Sequence, residues 1–264
     1  IAHPLNVKID SILADLDRNR IFNLGLFENV VWRLIPLDND KAILQFIMIE
    51  SVNRSPPLIF PSFDEERGWS LNGIFLISNF QGKNRTIEVI GSLGGQEKLR
   101  FLISDPWIFG NHVSFSAYVE NNSYEHLFLD RDINIKNIKF GIGKWYGENV
   151  KIKLSSTLIS KNFINSDDTL GYNYFSPELS FDLDTRDIFW NPKRGIRVIQ
   201  SIIPMVGENS FYMWKQSYSI YMTIFKNTTL AMNASVQLKH GYKSDNWISY
   251  FGNSNDIRGW KLPE

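Results

Sequence analysis

Residues 112–120 read HVSFSAYVE, and the alternation in this stretch decides the fold class. Val113, Phe115, Ala117 and Val119 fall on one side, and His112, Ser114, Ser116 and Glu120 on the other. A period of two with one apolar and one polar face is the signature of an antiparallel strand. The pattern recurs along the chain. Val150, Ile152 and Leu154 alternate with Lys151, Lys153 and Ser155, and Leu179, Phe181 and Leu183 with Glu178, Ser180 and Asp182. The longest run places Leu230, Met232, Ala234, Val236 and Leu238 against Ala231, Asn233, Ser235, Gln237 and Lys239. From residue 57 onward no window has helical spacing. The runs resolve into eleven strands near 57–63, 69–80, 85–94, 96–105, 111–121, 135–144, 149–160, 172–183, 195–204, 211–225 and 228–240.

Two architectures share this periodicity. A soluble sandwich turns its apolar face inward, and a membrane barrel turns it outward. Strand length favours the barrel, because many runs reach about 10–12 residues against an average of about 5–6 in soluble sheets. Alternate turns carry aromatic rings: Phe80, then Trp107 and Phe109, then Trp145 and Tyr146, then Phe189 and Trp190, then Phe225. Rings gathered on one side of a sheet are expected of a girdle at the headgroup level of a membrane.

Composition narrows the chemistry. The chain has 264 residues, 28 basic and 28 acidic side chains and no cysteine. Zero net charge argues against nucleic acid as a partner. Without cysteine there are no disulfides, thiolate metal sites or thiol nucleophiles. His3, His112, His126 and His240 are scattered without metal-ligand spacing, so neither a metal nor a cofactor is expected. The longest apolar runs fall far short of a membrane helix. No Ser/His/Asp constellation stands out, and the chain is not read as an enzyme.

The first fifty residues differ. Leu5, Ile9, Ile12, Leu13, Leu16 and Ile21 have helical spacing over 5–22, with Gly25 as a stop signal. Two β-rich runs, 30–37 and 42–50, flank Asp38-Asn39-Asp40-Lys41, a turn composition. Helix plus hairpin makes a small α+β unit over 1–52. Gly25 and Phe27 are expected to end the helix and anchor it on the hairpin, so that Phe27→Ala costs about 3–5 kcal/mol if its ring is buried.

Four segments resemble one family. RNRIFNLGLFENV at 18–30 resembles the last helix of a POTRA domain and its exit into a strand. DTRDIFWNPKRG at 184–195 resembles the turn after the eighth strand in outer-membrane β-barrel assembly factors of the BamA type and their organelle relatives. IRGW at 257–260 resembles the tip of the family's sixth extracellular loop, and SDPWIFGNHVSFSAY at 104–118 its turn between strands four and five. The resemblance implies an α+β POTRA remnant over 1–52, followed over 57–264 by the first eleven or so of sixteen strands of an antiparallel transmembrane β-barrel. Its departure from the pattern, with one partial POTRA domain and no strands beyond the loop, implies a piece of a longer protein.

The resemblance also implies roles. An outer-membrane protein insertase would take unfolded outer-membrane proteins as substrates, with periplasmic lipoproteins or chaperones and the lipid bilayer as partners. Its home would be the bacterial outer membrane, with an organelle outer membrane as the lesser alternative. A two-partner-type secretion pore is the nearest alternative, and a soluble β-sandwich binding protein the one from another class. The functional loop motif would be Ile257, Arg258, Gly259 and Trp260, with the Arg258 guanidinium inside the lumen. The turn motif would be Asp184, Arg186, Asp187, Pro192 and Gly195. As a carboxylate pair for acid–base chemistry, Asp184 and Asp187 are outweighed by capping and Asp–Arg pairing in a turn. The barrel reading sends Val113, Phe115, Leu179, Phe181, Met232 and Val236 to lipid, and Ser114, Ser116, Asp182, Asn233 and Gln237 to the lumen.

Overall fold

The structure is a computed structural model that describes residues 2–4, 6–37, 41–52, 56–64, 67–110, 112–126, 130–165 and 168–241. Its one helix among them, α1 (Ser11–Phe22), starts at Asp10, whose carboxylate accepts from the Ile12 and Leu13 N–H groups. An N-cap aspartate satisfies donors that the first helical turn leaves open. The helix is thus shorter than the 5–22 expected from spacing.

Its buried face also differs from the expected one. Ala14 and Asp17 are fully enclosed, while Ile12 and Leu16 are exposed. The reason is the partner: α1 lies on a two-stranded ribbon, β1 (Phe27–Leu37) and β2 (Lys41–Glu50), too narrow to cover a broad apolar stripe. Small Ala14 permits close approach, Val30 of β1 is buried, and the Trp32 indole N–H donates to Asp15 at 2.9 Å. Gly25 adopts φ +71°, and β1 begins two residues later. Phe27 is only half-buried, so the full-burial cost of its truncation does not apply; Val30 is the enclosed side chain.

The remaining strands form one antiparallel sheet in chain order. They are β3 (Leu58–Asp64), β4 (Gly68–Phe80), β5 (Arg85–Gly94), β6 (Gln96–Asp105), β7 (Val113–Glu125), β8 (Asp132–Tyr146), β9 (Val150–Ile164), β10 (Thr169–Asp184), β11 (Gly195–Gly207), β12 (Phe211–Phe225) and β13 (Thr228–Gly241). Among the described residues no second sheet packs on the apolar face, unlike a sandwich, whose two sheets face each other. Leu154 (62% exposed), Leu179, Phe181, Met232 and Val236 are open on that face, with half-buried Val113 and Phe115 sharing it. On β10 the apolar outward positions run from Phe175 to Leu183. That is about 27 Å of strand, or about 21 Å across a bilayer at a barrel-like tilt of about 40°.

Ser114, Ser116, Asp182, Asn233 and Gln237 share the opposite, inward face, as their cross-strand registers require. That face is not polar throughout. At the end away from α1, Tyr174, Met205 and Phe211 are buried together, with Tyr172 and Ile159 packed against them. The aromatic turns lie on the α1 side. Phe109, Trp190 and Phe225 are strongly exposed there. Trp145 instead turns inward, with the Lys151 ammonium 5.3 Å from its ring centroid.

Candidate functional site: the inward face and the 184–195 turn

The turn between β10 and β11 is built by its own charges. The Arg186 guanidinium forks onto Asp184, with Nε 2.8 Å from Oδ1 and Nη2 2.6 Å from Oδ2. Its Nη1 donates to the Phe189 carbonyl at 3.1 Å. Both side chains are largely enclosed. The hydrogen bond to Asp184 raises the Arg186 pKa above its ordinary value despite the opposing effect of burial, so the guanidinium keeps its charge. Arg197 adds a second cation, reaching Asp182 at 2.8 Å and Asp184 at 3.6 Å.

Asp187 closes the loop. Its Oδ1 accepts from the Ile188, Lys193 and Arg194 N–H groups at 2.9, 3.0 and 3.3 Å. Half-buried Pro192 lies within the segment that Asp187 ties together. Gly195 is required at φ +114°, where a Cβ would stand 2.5 Å from the Thr185 carbonyl oxygen and 2.7 Å from the Arg186 Cα. Asp184, Arg186 and Asp187 are thus brought together in one turn by their hydrogen bonds, and Gly195 supplies the backbone conformation on which it closes.

This turn receives the end of α1. Asn23, the helix C-cap, donates from Nδ2 to the Asp187 carbonyl at 3.1 Å and accepts the Phe189 N–H at 3.0 Å. Arg20 pairs with Glu148 at 2.6 Å, and the Asn84 amide donates to the Leu24 carbonyl at 3.2 Å. Three turns of the sheet therefore meet the segment leading from helix to β1. Sequence reasoning missed Asn23, Arg20 and Glu148. Their partners lie far along the chain, and no local pattern marks them.

Charges cross the inward face from strand to strand. Glu88 faces Arg100 at 3.8 Å, Lys98 faces Glu120 at 3.4 Å, and Lys139 reaches Glu178 at 2.6 Å over β9. Ser155 donates to the same Glu178 carboxylate at 3.1 Å. Two glycines of β8 make room for longer chains. A Cβ at Gly141 would stand 2.7 Å from the Lys153 Cε, and one at Gly143 2.7 Å from the Lys151 Cε. Along this stretch the face is polar, and no group of three metal-ligating side chains occurs among the described residues. Ile257, Arg258, Gly259 and Trp260 lie outside the described residues.

Comparisons with known proteins agree with this architecture. No curated protein matches in sequence. The fold matches BamA from Haemophilus ducreyi lacking POTRA domains 1–3, with a TM-score of 0.58 and 14% identity over 91% of this chain and 51% of that one. It also matches CdiB from Acinetobacter baumannii, with a TM-score of 0.54 and 12% identity over 97% of this chain and 55% of that one. The chain thus spans about half the length of the solved structures it matches. The Omp85 superfamily domain matches residues 79–263, from the end of β4 onward. With an eleven-stranded sheet, an outward apolar belt and that match, the chain belongs to the Omp85 superfamily of outer-membrane proteins, whose members are transporters or insertases.

Proposed function

We propose that the protein assembles and inserts unfolded β-barrel proteins into the outer membrane. The observation that carries this reading is the weakness of the sheet's first edge. β3 has 7 residues against 13 in β4, with Pro57 just before it and Pro61 within it. Proline cannot donate to a ladder, so a strand pairing with this edge gains fewer hydrogen bonds and separates more easily. A separable edge lets a client strand add to the sheet by main-chain pairing. In this reading residues 1–52 are the C-terminal part of a POTRA domain that delivers clients from the periplasm. The turns beside α1 are periplasmic, and Arg258 of the IRGW motif anchors its loop inside the lumen through a planar fork that a carboxylate can accept. Periplasmic lipoproteins or chaperones are the expected accessory partners.

The test is reconstitution of the full-length protein in liposomes with a urea-denatured outer-membrane barrel as client. Client folding, read as resistance to heat in gel electrophoresis, should accelerate over empty liposomes. Pro61→Val should slow that acceleration while raising the melting temperature. An unaccelerated client overturns the insertase. If the same liposomes instead export an unfolded polypeptide, the two-partner secretion pore takes its place.

A further inference from the structure

The outward face has a sharp upper border, confined to β7–β10. Val119, Ile138, Leu158 and Phe175 form an apolar row in direct cross-strand register. One step farther from α1 comes the row Asn121, Lys136, Ser160 and Asn173, and beyond it Ser123, Asn134 and Asn162. Between the first two rows lies an open groove of about 380 Å³, with Ile138, Leu158 and Phe175 as its apolar end and Lys136, Ser160 and Asn173 as its polar end. Below it, Ser156 and Pro177 continue a line of short side chains into the belt. Lys136 is exposed, and among the described residues no carboxylate lies within ion-pair distance of it. The inward lysine of the same strand, Lys139, is paired with Glu178.

We propose that this groove binds an anionic phospholipid of the outer leaflet, with an acyl chain along Leu158 and Phe175 and the phosphate, uncompensated by a headgroup cation, against Lys136. The placement rests on the reading that the α1 side is periplasmic. A cation with no carboxylate partner among the described residues, at the level where the belt turns polar, matches the depth of a lipid phosphate. Ser160 and Asn173 add a hydroxyl and an amide that donate to phosphate oxygens. Ser160 is also short enough to leave the groove open between Lys136 and Asn173.

The experiment is native mass spectrometry of the full-length protein in detergent, titrated with phosphatidylglycerol or phosphatidylcholine of identical chains. Phosphatidylglycerol should be retained about fivefold better, the effect of one surface cation. Lys136→Ala should abolish that preference and Lys136→Arg preserve it, while the inward control Lys215→Ala changes nothing. Ser160→Trp, which fills the groove, should lower retention of both lipids. Equal retention by the wild type, or a preference that survives Lys136→Ala, overturns the proposal. Displacement of the lipid by inorganic phosphate would assign the site to a free anion and overturn it too. Sidedness is read separately. Residues 1–264 hold no cysteine, so, with any cysteine outside them replaced by serine, Lys136→Cys should react with a membrane-impermeant maleimide on intact cells. Lack of labelling there would show that the periplasmic assignment of the α1 side had failed.

Discussion

Arg186 answers to one carboxylate and one carbonyl within three residues of itself, and that locality made it readable. A turn composition with alternating Asp and Arg predicts capping and pairing, and the structure shows both. Removing the guanidinium leaves the enclosed Asp184 carboxylate with only the N–H of residue 186 at 3.2 Å and the longer contact to Arg197 at 3.6 Å. Arg186→Ala should therefore cost about 3 kcal/mol, the low end for breaking a buried pair. Urea unfolding in lipid vesicles, followed by tryptophan fluorescence, measures it. Asp17 gave no such signal in the sequence. Its spacing fits a solvent-facing charge, yet it is fully enclosed and accepts the Ala2 and His3 N–H groups at 2.8–2.9 Å and Arg20 at 2.8 Å. Burial pushes its pKa up, but these hydrogen bonds outweigh burial and hold the carboxyl below the usual range. A depressed folded-state pKa gives stability that is complete above the unfolded value, about 3.9, and lost as pH falls through the folded one. Limited proteolysis should show residues 2–22 loosening only below about pH 4, and Asp17→Asn should flatten that dependence.

At the scale of elements, alternation located all eleven strands but stopped short at their ends. β7, β9 and β10 run to Glu125, to Ile164 and back to Thr169, beyond the expected limits of 121, 160 and 172. Past Asn121 and Ser160 the outward positions become Ser123 and Asn162 while the inward ones include Tyr124 and Phe163, so the apolar-out, polar-in contrast disappears while the ladder continues. The helix was harder to read because its partner is a ribbon, not a core. The inward aromatic layer around Tyr174 and Phe211 was also missed, since a membrane barrel inverts the usual meaning of each face and leaves inward rings without a pattern of their own. Leu154 tests the assignment of faces directly. It lies within the outward belt, and Leu154→Arg should cost about 2–4 kcal/mol in vesicles near mid-bilayer. Ser156→Asn, on the same face and neutral, should cost less. Equal costs in detergent micelles and in bilayers would contradict a lipid-facing position.

For the whole molecule, the order of strands followed from the sequence, because each strand pairs with the next. The seating of the N-terminal unit did not, because its contacts span separations such as the 164 residues between Asn23 and Asp187. Asn23→Ala should remove two hydrogen bonds and cost the docked arrangement about 1–2 kcal/mol, leaving the melting of the sheet unchanged. Hydrogen exchange should then rise in residues 20–27 and in the 187–189 turn, but not in β8–β10. Faster exchange throughout the sheet would mean that the contact supports folding and not docking alone.

Asn84 and Asp187 belong to turns six strands apart, yet they bind the neighbouring residues Leu24 and Asn23. Measured along the wall, six strand spacings are about 29 Å. The peptide joining the two turns is a single residue step. In mechanical terms it is a tie rod: it fixes the chord of the arc at the sheet's α1-side rim, so the wall between β4 and β10 cannot flatten without breaking it. The opposite rim carries no such tie among the described residues. Bending strain in the sheet is therefore relieved at the far rim first, and the wall flexes like a bow strung at one end.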